Sequence, residues 1–169
     1  MKENRIVHYV IAIITTIAAV ILDQWTKHLA VMHLKDQNPF TIIEGVFKLQ
    51  YLENRGAAFG LLQNQRIFFY FSMLLITVFV IWFYIKVPMT KKYLPLRICS
   101  VFIFAGGLGN FIDRVRLNYV VDFFYFELID FPIFNVADIY VTVTMFILLF
   151  LIFFYYKEED LDGIFSRRK

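Results

Sequence analysis

Two aspartates in the second half of the chain have a type and spacing that could do acid–base chemistry together. Asp122 lies among apolar residues in the segment 120–126, and Asp138 stands three residues after Asn135, just before a long apolar run. Poor solvation among apolar neighbours raises the pKa of a carboxyl group, whereas the N-terminus of a helix favours the ionised form. Two carboxyl groups in such different surroundings can serve as acid and base on one substrate, so they form a candidate catalytic pair.

The chain must fold back on itself if these two aspartates are to meet. They are sixteen residues apart, which is about 24 Å along one straight helix, and Pro132 between them argues against an unbroken helix. Simpler interpretations stay open at this point. Asn135 and Asp138 have the spacing of a helix N-cap with an acid at its third position, and Asp122 could be a capping or turn residue.

A second group of polar residues lies at one end of the third apolar run. Gly106, Asn110 and Asp113 are spaced by four and three residues, which places them on one helix face, and Arg114 follows Asn110 by four. Glycine lets another helix approach closely, and polar side chains can then bond across the contact. We interpret this group as a frame for the reacting residues, with structural packing alone as the alternative.

Asp23 and Lys27 are four residues apart at the end of the first apolar run. This spacing lets an acid and a base pair on a helix, with the acid in the better N-terminal position. The simpler interpretation is an ion pair at the membrane interface. A supporting role at the site is the alternative, because such a pair could anchor the segment that follows.

Other catalytic chemistries find little support in the sequence. It contains no H-E-x-x-H zinc motif, no G-x-S-x-G serine motif and no glycine-rich nucleotide loop. His8, His28 and His33 lack metal-site spacing with acids, and the single cysteine, Cys99, lies in an apolar run typical of a buried helix residue. Hydrolysis by carboxyl groups and water remains, and we expect neither a metal nor a cofactor.

The composition indicates a membrane protein. Of 169 residues, 60% are hydrophobic and 18% charged, whereas soluble chains carry about 25% charged residues. The length suits one domain, residues 1–169. The expected fold class is mainly α, with four transmembrane helices. Their predicted spans are about 7–22, 67–85, 98–117 and 138–156.

Basic residues predict the orientation of these spans. They are concentrated before the first span, between the second and third, and at the chain end: Lys2, Arg5, Lys86, Lys91, Lys92, Arg97, Arg167, Arg168 and Lys169. Because cytoplasmic loops hold the excess of Lys and Arg, we expect both termini in the cytoplasm. The links 23–66 and 114–138 then face outward.

The first outward link shows a strand-like pattern. Phe47, Leu49 and Tyr51 alternate with polar residues, and a turn signal follows at residues 54–56. We therefore predict a small β-rich extracytoplasmic platform, about residues 28–66, between helices 1 and 2.

Five short motifs in this order resemble those of the bacterial lipoprotein signal peptidases, the type II signal peptidase family of aspartyl proteases. They are Asp23-Gln24-Trp25-Thr26-Lys27, Asn54-Arg55-Gly56-Ala57-Ala58-Phe59-Gly60, residues 106–114, residues 120–123 and residues 131–138. The resemblance covers essentially the whole chain. It implies a catalytic pair, Asp122 and Asp138, and a set of substrate-binding or supporting positions: Asn54, Gly56, Asn110, Arg114, Asn135, Asp23, Lys27 and Asp113.

The resemblance also implies a substrate and a location. The substrate would be a prolipoprotein whose cysteine carries a diacylglyceryl group, cut just before that cysteine. The enzyme would be a multi-pass protein of the bacterial cell membrane, with its active site near the outer leaflet, in contact with lipid. We expect a monomer and no nucleic-acid partner. From the residues alone, a small transporter or channel and a scaffold protein remain alternatives, although a conduction path needs polar groups distributed in depth.

Overall fold

A computed structural model describes residues 5–56, 62 and 65–165. Within this part, four helices are long and apolar enough to cross a membrane. They are α1 (Arg5–Leu34), α2 (Arg66–Lys86), α3 (Leu94–Leu117) and α4 (Val136–Phe150). A 3₁₀ turn, Lys91–Tyr93, precedes α3, a π-helical turn, Leu151–Tyr155, extends α4, and a short helix, α5 (Glu158–Phe165), follows. The predicted fold class is confirmed: the chain is a mainly helical, multi-pass membrane protein.

Helix α3 is the centre of the bundle. In its most apolar stretch 44% of the residues are buried, against 11% in α1 and α2 and 17% in α4. The other three spanning helices all pack against it. Its mean hydropathy, 1.5, is the lowest of the four, which fits a helix that other helices shield from lipid. The buried polar residues of α3, Arg97, Ser100 and Asp113, therefore meet protein rather than acyl chains.

The ends of α3 follow from its sequence. Pro95 stands in its first turn, where the missing N–H has no partner to lose. Asn118 ends the helix in the left-handed conformation, with φ of 68°, and its N–H bonds to the carbonyl of Arg114. Asparagine tolerates this conformation better than most residues. The chain then reverses and continues directly as a strand.

A three-stranded antiparallel sheet lies beside the helix ends. It comprises β1 (Phe40–Ile43), β2 (Phe47–Asn54) and β3 (Val120–Phe126), in that order. Gly45, with φ of +69°, makes the turn between β1 and β2. The platform predicted between α1 and α2 thus has a third strand from the link between α3 and α4. This strand was not predicted, because its first four residues are all buried and show no alternation.

The pairing of β2 with β3 sets the position of the first aspartate. Asp122 lies opposite Leu52, and Val120 lies opposite Asn54 at the end of β2. After a 3₁₀ turn the chain comes back, and Phe134 forms a bridge to Phe124. This return, expected from Pro132, brings the start of α4 next to β3.

Two apolar clusters support the two ends of the bundle. Under the sheet, Val121 and Phe123 of β3 pack with Ala30 of α1. At the opposite end, Cys99 is buried among residues of α3, the π-helical turn and α5. The expectation that Cys99 is a buried helix residue is confirmed.

Candidate active site

Asn135 holds both aspartates. It is the N-cap of α4, with an extended backbone, and its side-chain oxygen accepts a hydrogen bond from the N–H of Asp138 at 3.1 Å. In return, the backbone N–H of Asn135 donates to Oδ2 of Asp138 at 3.1 Å. Its side-chain Nδ2 donates to Oδ1 of Asp122 at 2.6 Å. The capping box expected from the sequence is present, and the same residue also reaches the second carboxyl group.

The two remaining carboxyl oxygens also accept amide hydrogens. Asn54 Nδ2 donates to Oδ2 of Asp122 at 2.9 Å, and Asn110 Nδ2 donates to Oδ1 of Asp138 at 2.8 Å. Asn54 is itself fixed, because its side-chain oxygen accepts the N–H of Gly56 at 3.0 Å. Each of the four oxygens therefore has a neutral donor that fixes its direction.

A buried lysine stands behind this layer of amides. Lys27 is only 3% exposed, and its Nζ lies 2.9 Å from Asp23 Oδ2 and 3.0 Å from Asp113 Oδ2. The third donor bonds to Asn110 Oδ1 at 2.9 Å. The predicted pair of Asp23 and Lys27 is formed, and Asp113 joins it. Because all three hydrogens have acceptors, the ammonium group is fully satisfied although it is buried.

The two carboxylates around Lys27 tie separate elements together. Asp23 Oδ1 accepts the backbone N–H of Ala137 at 2.9 Å, which joins α1 to the first turn of α4. Asp113 Oδ2 accepts the N–H of Val121 at 3.2 Å, which joins α3 to β3. The positions of Asp138 and Asp122 are therefore fixed from behind by groups on α1 and α3.

Gln24 is a residue of this network that sequence reasoning missed. Its Nε2 donates to Asp113 Oδ1 at 2.9 Å, and to Asp23 Oδ2 and the carbonyl of Gly109, both at 3.2 Å. A glutamine beside Asp23 has no helical spacing that would mark it. The available signal was its place in the first of the five motifs, between Asp23 and Lys27.

Two glycines of α3 allow α1 and α4 to pack closely against it. A Cβ on Gly106 would lie 2.5 Å from the carbonyl oxygen of Ala137 and 2.7 Å from a methyl of Val141. A Cβ on Gly109 would lie 2.5 Å from Asp23 Oδ2. Side chains at these positions would separate α3 from α4 and from α1 respectively, as expected for glycine at a tight helix contact.

Arg114 covers the site from the side of α2. Its Nη2 donates to the carbonyl of Gly56 at 2.8 Å, and its guanidinium lies 4.0 Å from the centre of the Phe69 ring. Gly56 is the last residue described in the second motif, and residues 57–60 of that motif lie outside the described part. Arg114 thus fixes the end of the platform above the aspartates.

The aspartates line one cavity of about 680 Å³. Its polar lining near the two carboxyl groups comes from Asn54, Asn110, Arg114, Asp122 and Asp138. The rest is mainly apolar and comes from the first half of α2, from α3, from the start of α4 and from the segment that follows β3: Phe69, Met73, Ile76, Phe111, Ile129, Phe131, Pro132, Ile133, Phe134, Ile139, Val141 and Val143. The cavity can therefore hold an amphipathic ligand.

The surroundings of Asp122 favour its protonated form up to near neutral pH. It is 1% exposed. Burial, and after it the negative charge of Asp138, raises the pKa of Asp122 from 3.8 to about 7, against hydrogen bonds from Asn54 and Asn135 and the charge of Lys27. Two nearby carboxyl groups, one of which holds a proton, can give and take protons in one reaction. Among the described residues, no group of three His, Cys, Asp or Glu is placed to hold a metal ion.

Comparison with known proteins shows which family the chain resembles. Residues 15–154 match the family model described as signal peptidase (SPase) II. The lipoprotein signal peptidase of Streptococcus thermophilus (strain CNRZ 1066) is 44% identical over 151 residues, covering 89% of this chain and 95% of that protein. The lipoprotein signal peptidase of Clostridioides difficile (strain 630) is 43% identical over 152 residues, covering 89% and 99%.

The fold also resembles solved structures. One, described as a bacterial membrane enzyme solved by the in meso method at 2.3 Å resolution, superposes with a TM-score of 0.76 at 30% identity and covers 94% of each chain. A second, solved at 1.9 Å resolution, gives a TM-score of 0.73 at 31% identity, covering 86% of this chain and 94% of the other.

Proposed function

The chain belongs to the signal peptidase II family, and we propose that Asp122 and Asp138 are the carboxyl groups with which it acts. It is a membrane-embedded protease that removes signal peptides from lipoproteins, and an aspartyl mechanism is a general property of its family. The observation that carries the proposed pair is that Asn135 bonds to both carboxyl groups where they line the cavity.

The surroundings of the two aspartates support separate roles. Asp122, buried on a strand with its pKa near 7, is the acid that donates a proton to the scissile carbonyl oxygen. Asp138, at the N-terminus of α4, is the base that takes a proton from the attacking water. Collapse of the tetrahedral intermediate breaks the C–N bond, the leaving amine takes up the proton that Asp138 accepted, and the proton that Asp122 donated returns to it as the carboxyl product forms.

The substrate we propose is a prolipoprotein with a diacylglyceryl group on its cysteine, cut just before that cysteine. The cavity supports this choice, because its polar end can hold a peptide bond and its apolar remainder can hold acyl chains. The charged groups of the lining, Arg114, Asp122 and Asp138, lie together at one end of the cavity, which disfavours the alternative of a transporter, because a conduction path needs polar groups through the membrane depth.

The remaining residues divide by what they touch. Those that line or cover the cavity would bind or orient the substrate and the dyad: Asn54, Gly56, Asn110 and Arg114, with Asn135 behind them. Those that lie behind this set and are absent from the cavity lining would hold its geometry: Asp23, Lys27 and Asp113. We propose that all act within one chain, as a single integral membrane domain and a monomer, without a metal or cofactor.

We propose that both termini lie in the cytoplasm and that the dyad lies near the outer leaflet. Lys86, Lys91 and Lys92 support this orientation, because they lie at the α2–α3 link, at the end of α3 away from Asn110. A cysteine at Asn38 should be labelled by a membrane-impermeant reagent from the outside, and a cysteine at Lys91 only after the membrane is opened. Labelling of both in intact cells would refute the orientation.

The proposed dyad is tested with the variants Asp122→Asn and Asp138→Asn. Each purified protein is assayed in detergent with a diacylglyceryl-modified precursor, with and without a metal chelator. We expect a loss of at least about a hundredfold for each variant, the scale of one general acid or base, and no effect of the chelator. Asp36→Asn, on an exposed turn after α1, is the matched control and should keep full activity. A folded dyad variant that cleaves at the normal rate would refute the assignment.

A further inference from the structure

Ser72 and Thr142 form a second polar layer of the cavity, further along α4 from the aspartates, and the proposed mechanism does not use it. Thr142 of α4 lines the cavity one helical turn, about 6 Å, from Asp138. Ser72 lines it from α2, next to Met73. Two adjacent glycines of α3 relate the two levels. An added Cβ on Gly107 would lie 3.3 Å from the sulfur of Met73, beside Ser72. One on Gly106 would lie 2.7 Å from a methyl of Val141, beside Thr142. Two hydroxyl groups and a bare stretch of backbone therefore lie at about the same depth.

The two hydroxyl groups have no partner in the part of the chain that the structure describes. Ser100 of α3, which is buried inside the bundle, differs in that its hydroxyl donates back to the carbonyl of Leu96 at 2.9 Å. A hydroxyl group in an apolar cavity loses free energy when it makes no hydrogen bond. Ser72 and Thr142 are thus placed to bond to a ligand.

The chemistry of the layer favours a neutral acceptor. Among the described residues that line the cavity, Arg114 is the only cation, and it lies at the level of the aspartates, where it bonds to Gly56. A phosphate group would need positive charge at the lower level, whereas a carboxylic ester needs only a hydrogen-bond donor. The walls around the two hydroxyls are apolar, which suits the acyl chains of such an ester.

The depth of the layer matches the position of the esters on the proposed substrate. From the cysteine Cα, about six bonds lead through Cβ, the thioether sulfur and glycerol to an ester carbonyl, a reach of roughly 7 Å. With the scissile bond at the aspartates, the ester carbonyls would therefore lie one helical turn lower. The acyl chains would continue between α2 and α4, which pack against α3 on separate sides.

We propose that the hydroxyl groups of Ser72 and Thr142 recognise the ester carbonyls of the substrate's diacylglyceryl group. This inference rests on the proposed function, and it adds a specificity site to it. The enzyme then distinguishes a diacylglyceryl cysteine from one that carries the same carbon skeleton without carbonyl groups.

The test compares two synthetic precursors with the same peptide, one with a diacylglyceryl and one with a dialkylglyceryl thioether. The wild-type protein should cleave the diester with a kcat/KM about three- to tenfold higher, the factor given by one or two neutral hydrogen bonds. The difference should lie mainly in KM, because the bonds form in substrate and transition state alike. The double variant Ser72→Ala/Thr142→Val should cleave both at the rate of the wild type on the diether.

Two further variants separate recognition from packing. Thr142→Ser keeps a hydroxyl group and should keep part of the diester preference. Thr77→Val removes a hydroxyl from α2 outside the cavity lining and should leave both rates unchanged. Equal losses on both precursors in the double variant would show that the hydroxyls only shape the cavity, and no preference in the wild type would also overturn the inference. A wild-type protein that cleaves neither precursor would refute the proposed substrate itself, and the inference with it.

Discussion

Replacing Asp122 by asparagine should stabilise the protein above neutral pH while removing its activity. The folded protein holds the proton of Asp122 more tightly than the unfolded chain does, since its pKa is raised from 3.8 to about 7 by burial and by Asp138. The stability associated with this proton is fully present below about pH 4 and is lost as the pH rises through about 7. Asparagine cannot ionise, so the variant avoids the loss.

The size of the effect follows from the pKa shift. A shift of about three units corresponds to roughly 4 kcal/mol, at 1.36 kcal/mol for each unit. Asn54 and Asn135 both donate to Asp122, and asparagine has one oxygen to accept from them, so one donor loses its partner at every pH, at a cost of about 1–3 kcal/mol. The variant should therefore be somewhat less stable than the wild type near pH 4.5 and should gain roughly 4 kcal/mol on it as the pH rises through about 7. A difference of 4 kcal/mol would raise the unfolding midpoint by on the order of 10 °C.

The measurement is the thermal unfolding midpoint in detergent, taken at several values between about pH 4.5 and about pH 8.5. The matched control is Asp113→Asn, because Asp113 is equally buried but pairs with Lys27 at 3.0 Å. That variant should be less stable than the wild type at pH 8, since it leaves part of a buried charge unpaired. A gap between Asp122→Asn and wild type that does not change with pH, or that has the opposite sign at pH 8, would refute the reasoning.

Three further outcomes can be checked in the same preparations. Gly106→Ala should lower the thermal unfolding midpoint by several degrees, because its Cβ would lie 2.5 Å from a carbonyl oxygen of α4. Gly163→Ala is the control and should not lower the midpoint, because a Cβ there has nothing within 4 Å. Equal effects of the two variants would contradict close packing of α3 against α4. Lys27→Met should cost about 3–5 kcal/mol, because it leaves two buried carboxylates facing each other; Lys35→Met, which breaks a half-exposed pair, should change the midpoint little. Asn135→Ala should lower the unfolding free energy by about 1 kcal/mol through the lost cap and reduce activity on the order of a hundredfold; full activity would show that the bridge between the aspartates is dispensable.

Residues spaced by helical periods could be placed from the sequence. Asp23 and Lys27 pair as their spacing of four predicts. Asn135 and Asp138 form the capping box that their spacing of three predicts. These contacts are local, so the sequence spacing determines which side chains face one another. The free-energy cost of placing polar side chains in an apolar span was the other informative signal, because such side chains require partners.

Contacts between distant segments could not be predicted in the same way. The bond of Asn54 to Asp122 depends on the pairing of β2 with β3, whose buried residues show no alternation. Gln24 has no spacing that relates it to Asp113, 89 residues away. The second bond of Asn135, to Asp122, depends on the return of the chain after β3. To predict any of these three contacts, one must know which elements become neighbours. Packing between distant segments determines that, and local sequence does not.

The arrangement of charges explains why amides, rather than the lysine, contact the aspartates. An ammonium group in direct contact would favour the ionised form of both carboxyl groups, and the pair would then lack its acid. Asn110 stands between them, accepting from Lys27 at 2.9 Å and donating to Asp138 at 2.8 Å. The amide transmits orientation but carries no net charge, so the geometry is fixed while Asp122 can still keep a proton near pH 7. Replacing Asn110 by a charged residue would therefore disturb the protonation of the pair even if every helix stayed in place.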